Sequence, residues 1–341
     1  MKMNLRFAVS ALAMGAGLSS TCQAASAILI DNDTAGYSQT GSWTVQSVTN
    51  TRVNSNWKYQ NSPDGADTAI YGFTGLSNGN YVAARSSFTQ GNLSGAASYA
   101  VSDGGGTYTQ SQKTTVLNFD LDGTVAFQRI SNFNGYTPVA VNDGSLSITV
   151  GDTDAAGFLI ADAVRVEKVR DDVQKIHIIG NGDTGYSETA GAWGGYGETG
   201  DHAGSFRYSS GAVGDQITVS FTGLDSGLYR VSSAWTGGGN GNRSSNVTLA
   251  YNTTGAAGSL TYNQEPGAAA DDVFENVNWQ DMFAGVTVTD GSLTLTLTNN
   301  SSGGSELMIA DGFRLELIPE PSGFVLLGVS AAGLLLRRRR A

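Results

Sequence analysis

Most of this chain is written twice. Ile30-Asp31-Asn32-Asp33, Gly36-Tyr37-Ser38 and Gly41-Ser42-Trp43 return as Ile179-Gly180-Asn181-Gly182, Gly185-Tyr186-Ser187 and Gly191-Ala192-Trp193. Phe73-Thr74-Gly75-Leu76 with Gly79-Asn80-Tyr81 returns as Phe221-Thr222-Gly223-Leu224 with Gly227-Leu228-Tyr229. Asp143-Gly144-Ser145-Leu146 returns as Asp290-Gly291-Ser292-Leu293. The closing Ile160-Ala161-Asp162-Ala163-Val164-Arg165 returns as Ile309-Ala310-Asp311-Gly312-Phe313-Arg314. The blocks keep their order at an offset of 147 to 150 residues. A unit of that length is the size of a domain with its own core, far longer than a solenoid repeat. The duplication therefore sets the organisation: a first copy over 27–169, a link over 170–174 and a second copy over 175–318.

Within each copy the apolar residues alternate. Leu146, Ile148 and Val150 share one face of a strand, as do Leu293, Leu295 and Leu297. Gly75-Leu76-Ser77-Asn78-Gly79 and Gly223-Leu224-Asp225-Ser226-Gly227 supply turn chemistry between strands. No amphipathic helical period occurs. Many short strands with regular turn signals make each copy an all-β antiparallel sandwich.

The ends differ from the body. Lys2 and Arg6 precede an apolar run from Phe7 to Leu18, then Cys22-Gln23-Ala24-Ala25-Ser26-Ala27. A basic stub, a short apolar run and alanines at cleavage positions make residues 1–26 a secretory signal peptide. The lone cysteine, Cys22, leaves with it, so disulfides and cysteine-metal sites are excluded from the mature chain. Leu18-Ser19-Ser20-Thr21-Cys22 fits a lipidation site poorly. At the other end, Pro319-Glu320-Pro321 is followed by an apolar run from Gly323 to Leu336 and by Arg337, Arg338, Arg339 and Arg340. That run is shorter than the roughly 20 residues of an ordinary span, so it is a marginal anchor whose arginines stay cytoplasmic. The formal charge of the whole chain is −11, and the exported body, without Lys2, Arg6 and the arginine cluster, is more acidic still. Nucleic acid is excluded as a partner, because its binding rests on phosphate neutralisation by Lys and Arg.

The tail resembles the PEP-CTERM sorting signal of Gram-negative bacteria on Pro319, Glu320, Pro321 and Arg337 to Arg340. That resemblance implies an exosortase-type sorting enzyme as partner and a transient inner-membrane anchor. Its end point is the cell surface or an exopolysaccharide matrix. The duplicated blocks are similar to the golvesin and xanthan-lyase carbohydrate-binding-like domain, whose opening strand, Gly-Leu hairpin and Ile-Ala-Asp-Ala-Val-Arg close all occur in the first copy. The second departs at Gly312 and Phe313 and has one extra residue before Trp193. This second resemblance implies a jelly-roll-like sandwich with extracellular polysaccharide as partner.

A sugar face stacks on an open aromatic ring while its rim takes hydrogen bonds, so a platform needs both kinds of group. Trp235 and Trp279 are particular to the second copy and lie beside loop-like runs, one of which ends in Arg243. They are the leading platform candidates, with Trp57 and Arg243. Trp43, Trp193, Tyr37 and Tyr186 recur in both copies and read as signatures packed in or over the core. Asp31-Asn32-Asp33, Asp120-Leu121-Asp122-Gly123 and Asp152-Thr153-Asp154 have the spacing of calcium ligands, but aspartate in a turn ordinarily caps backbone. No cofactor is expected, with structural calcium as the alternative. His177 and His202 are the only histidines and form no metal motif, and neither a Gly-x-Ser-x-Gly elbow nor a phosphate loop is present. The expectation is a binding or purely structural protein without catalysis. Thr294, Thr296 and Thr298 share one strand face, but one strand makes no ice-binding ladder, and the aligned Ser147-Ile148-Thr149 does not extend it.

Overall fold

The computed structural model describes residues 27–47, 53–61, 67–87, 92–113, 119–122, 125–130, 135, 137–152, 157–197, 200–209, 211–237, 242–301 and 306–319. Both terminal signals, including Glu320, Pro321 and Arg337 to Arg340, lie outside these residues; Pro319 is exposed. Among the described residues no helix is long and apolar enough to cross a membrane.

The protein is all-β. The first copy holds β1 (Ile28–Asp31), β2 (Tyr37–Thr40), β3 (Thr44–Ser47), β4 (Asn56–Gln60), β5 (Thr68–Thr74), β6 (Gly79–Ser86) and β7 (Ala97–Val101). It continues with β8 (Gly106–Gln110), β9 (Phe119–Asp122), β10 (Val125–Arg129), β11 (Val139–Val141), β12 (Ser145–Asp152), β13 (Leu159–Ala161) and β14 (Ala163–Val169). The second holds β15 (Lys175–Gly180), β16 (Tyr186–Ala190), β17 (Trp193–Tyr196), β18 (Phe206–Ser209), β19 (Gln216–Thr222), β20 (Gly227–Ala234) and β21 (Val247–Thr253). It ends with β22 (Ala256–Tyr262), β23 (Asp272–Phe274), β24 (Val277–Val288), β25 (Ser292–Asn299), β26 (Ile309–Ala310) and β27 (Gly312–Ile318).

Each copy builds the same antiparallel sandwich. One sheet runs β1-β14-β6-β10-β9 in the first copy and β15-β27-β20-β24-β23 in the second; β11 also pairs with β6. The facing sheet runs β2-β5-β12-β7-β8 and β16-β19-β25-β21-β22, and a small sheet, β13-β4-β3 or β17-β18-β26, closes one side. The alternation does what it predicts. Leu146, Ile148 and Val150 are buried with Tyr71, Phe73 and Tyr99 in one core; Leu293, Leu295 and Leu297 are buried with Val219, Phe221 and Leu249 in the other.

The copies meet along a packed seam. Val169, Val173, Ile176, Ile178, Phe274 and Val277 form one apolar cluster across it. The β23–β24 turn of the second copy pushes Glu275 against the first. There it forms a bidentate ion pair with Arg129, and its backbone N–H donates to the Glu167 carboxylate at 2.9 Å. Burial raises the Glu275 pKa, but Arg129 outweighs burial and holds the carboxyl below its usual range. The link is a fastened strap. Asn80 donates to the carbonyls of Asp171 and Val173, Gln174 N–H donates to Leu317 O, and Arg230 pairs with Asp172 at 2.5 Å.

Candidate functional site

The four expected platform residues are all inside the protein. Trp279 is fully buried, its indole N–H donates to Phe274 O at 3.1 Å, and the Arg314 guanidinium lies 4.9 Å over its ring. Trp235 is buried against Tyr262, with ring centroids 4.9 Å apart, and donates to Pro266 O. Trp57 packs with Leu93 and Ile160, and Arg243 lies over the ring of buried Phe206. A ring without an open face cannot stack on a sugar, so the platform expectation for Trp235, Trp279 and Trp57 is corrected, and Arg243 is a core-stacking cation.

Strand register shows what Trp279 replaces. Gln280 pairs with Ser233, which puts Trp279 beside Ala234, the last residue of β20; Phe127 pairs with Ser86, the last residue of β6. Trp279 is thus the counterpart of Phe127, over whose ring Arg165 sits at 5.0 Å. The larger ring needs space, and Gly312 provides it: a Cβ there would lie 2.8 Å from the Trp279 ring. The departure from alanine at Gly312 compensates for the tryptophan.

The repeated aromatic residues Tyr37, Trp43, Tyr186 and Trp193 are half-buried rather than enclosed. They lie where β2 or β16 meets the small sheet. In the first copy Lys58 Nζ lies 4.5 Å over the half-buried Tyr37 ring, and the Tyr37 hydroxyl donates to Gln39 at 3.0 Å. Half-buried Trp43 donates its indole N–H to Thr40 O at 2.7 Å, and exposed Val45 stands opposite Lys58 on β3. In the second copy Arg207 takes the place of Lys58 and pairs with Glu188 at 2.5 Å, Trp193 donates to Ala190 O, and Tyr196 is 60 % exposed. Burial raises the pKa of both Tyr37 and Tyr186, with nearby Asp33 and Glu188 adding to it, so both phenols stay protonated, and the Tyr186 hydroxyl is itself buried.

Backbone geometry fixes these rings. Gly41 and Gly191 have φ of 86° and 104°, and a Cβ at either would collide with the carboxylate of Asp67 or Asp215. Only glycine turns the chain there, which sets the tryptophan two residues on. The extra residue of the second copy is absorbed as a β-bulge between Glu188 and Ala190 in the pairing with β19, leaving Trp193 in place. The junction therefore offers, twice over, a half-open indole, a tyrosine, a cation and an amide or carboxylate. That set matches the apolar face and polar rim of a sugar.

Other expected features resolve more simply. Asp31 accepts from Asn54 at 2.6 Å, and Asp33 from Asn56 at 2.5 Å with Lys58 nearby, so these carboxylates serve side-chain contacts. The Asp120 and Asp122 side chains, with Gly123, Thr153 and Asp154, lie outside the described parts. Among the described residues no three His, Cys, Asp or Glu side chains gather as a metal set. Burial lowers His177 and His202 to a pKa of about 4, helped by Lys175 and Arg129 respectively. Asp311 accepts the His202 backbone N–H at 3.0 Å, and burial, then Asp201, raises its pKa. The threonine strand is not alone: Thr298 stands between Gln216 and Thr248, and Thr296 between Thr218 and Ala250. Within the first copy Thr149 stands between Ile70 and Ala100.

No protein-family model and no curated protein sequence matches this chain. Solved structures resemble it loosely. A Paenibacillus xanthan lyase aligns at 17% identity and a TM-score of 0.36, covering 83% of this chain and 25% of the lyase. The tandem CBM22 domains of Paenibacillus barcinonensis Xyn10C align at 11% identity and a TM-score of 0.28, covering 88% of this chain and 100% of theirs. The ANX2 ectodomain of Arabidopsis thaliana aligns at 11% and 0.40, covering 83% and 90%. At these scores the fold rests on the strand pairing itself.

Proposed function

We propose that this is an exported, exosortase-sorted matrix protein that holds extracellular polysaccharide through its two junction sites without cleaving it. The observation that carries the reading is the duplicated cluster of Trp43, Tyr37 and Lys58 in one copy and Trp193, Tyr186 and Arg207 in the other. Both indoles lie half-open on a rigid turn, so little side-chain entropy is lost when a sugar stacks there. Two such sites on one fastened body gain from avidity when their spacing suits a repeating polymer. Export and sorting rest on the terminal signals.

Affinity electrophoresis through the producing organism's own exopolysaccharide tests this. The wild-type chain should be retarded, Trp43→Ala and Trp193→Ala each retarded less, and the double variant should run freely. Free migration of the wild-type chain, with or without calcium, would leave a purely structural or adhesive protein as the better account. Shortening of the polymer during the run would favour an enzyme instead.

A further inference from the structure

The strands that end the sheets differ in what they expose. β1 and β9 are four residues each and β23 is three, while β15 carries Lys175 and β16 carries Glu188, both of which reach solvent. Short length and charges of this kind deter pairing with a further strand. The edges β2, β3 and β17 are four residues each and flank the junctions. β22 is seven residues long, reads Ala-Ala-Gly-Ser-Leu-Thr-Tyr and has no charge and no proline. Among the described residues it pairs with β21 alone, so alternate residues turn their N–H and C=O groups outward.

Two further observations point to what pairs there. The outward sheet face beside it is uncharged as well: Ser259 and Thr261 continue into Ala250 and Thr248, then Thr296 and Thr298. In a chain of formal charge −11, this is a face on which two copies can approach without like charges opposed. On the inner side, Leu260 and Tyr262 lie half-buried at the open end of the core, which an added strand would cover. We propose that β22 pairs antiparallel with β22 of a second copy, giving a two-fold dimer with one ladder continuous across both chains. Such an interface is isologous, and the middle residue of the strand, Ser259, lies opposite its own counterpart. This association does not depend on the glycan reading.

Sedimentation of the full chain over a wide concentration range tests it, using two paired substitutions. S259K with T261K puts charges on β22; T107K with T109K does the same on β8, the shorter counterpart edge of the first copy. The wild-type chain and the β8 variant should dimerise, while the β22 variant stays monomeric with an unchanged circular dichroism spectrum and melting temperature. Separately, Ser259→Cys should oxidise to a covalent dimer under conditions where the wild-type chain, which has only Cys22, does not. A wild-type chain that stays monomeric throughout overturns the proposal. So does a β22 variant that associates as the wild type does, because the apolar terminal segments are common to all the chains.

Discussion

The two copies solve one packing problem in two ways. Beneath the guanidinium of the closing motif, the first copy puts Phe127 next to Ala163; the second puts Trp279 next to Gly312. What is repeated is the volume under the arginine. The residues that fill it are exchanged as a pair. The second copy is also distinct in holding both histidines, each buried, and in projecting Glu275 across the seam.

The largest effect should come from emptying that volume. Trp279→Ala should cost the second copy about 3–5 kcal/mol, read by denaturant unfolding, as large-to-small core changes do. Because Trp279 also belongs to the seam, its loss should uncouple the copies into two transitions. A single transition of unchanged midpoint would show that the ring is not part of the core.

Acid should separate the copies next. Both histidines have folded pKa values near 4, below the ordinary 6.5. The unfolded chain takes up protons first, so stability is full above pH 6.5 and falls as the pH drops toward 4. The loss is about 3 kcal/mol per histidine at 1.36 kcal/mol for each pH unit. The first copy, without histidine, should lack this component. Thermal melts across that range should show the second copy weakening first, and equal loss in both copies would contradict the burial of His177 and His202.

Gly312→Ala should be smaller, about 1–3 kcal/mol, since the added methyl meets the Trp279 ring and must displace it. The smallest effect is the most telling. Trp279→Phe combined with Gly312→Ala installs the arrangement of the first copy, and the pair should cost less than the sum of the single changes by about 1 kcal/mol. Strict additivity would mean that the two positions do not compensate.

Much of the fold was legible because period-two alternation and turn glycines are local signals. Leu293, Leu295 and Leu297 needed no tertiary knowledge to be placed inward. The site was less legible. Trp235 and Trp279 are flanked by glycine and asparagine, which suggests exposure, but what buries them is distant in sequence: Tyr262 and Pro266 for one, Phe274 and Arg314 for the other. The tie between Trp279 and Gly312 looked like two unrelated departures because register, the only link between them, is not written in sequence. Glu275 gave no signal of its role, since Arg129 lies in the other copy. Lys58 and Arg207 had one: they align as cations next to the aligned aromatics Trp57 and Phe206.

In each copy the first strand pairs with the last. Ile28 stands opposite Val166, and Lys175 opposite Leu317. The polypeptide therefore leaves each sandwich next to the point where it entered. A module whose entrance and exit share one doorway can be copied in line without rethreading anything, as the strap over 170–174 already demonstrates. Lengthening by a further module asks only for another short splice, and each sandwich should tolerate new termini at a surface turn once its own are joined.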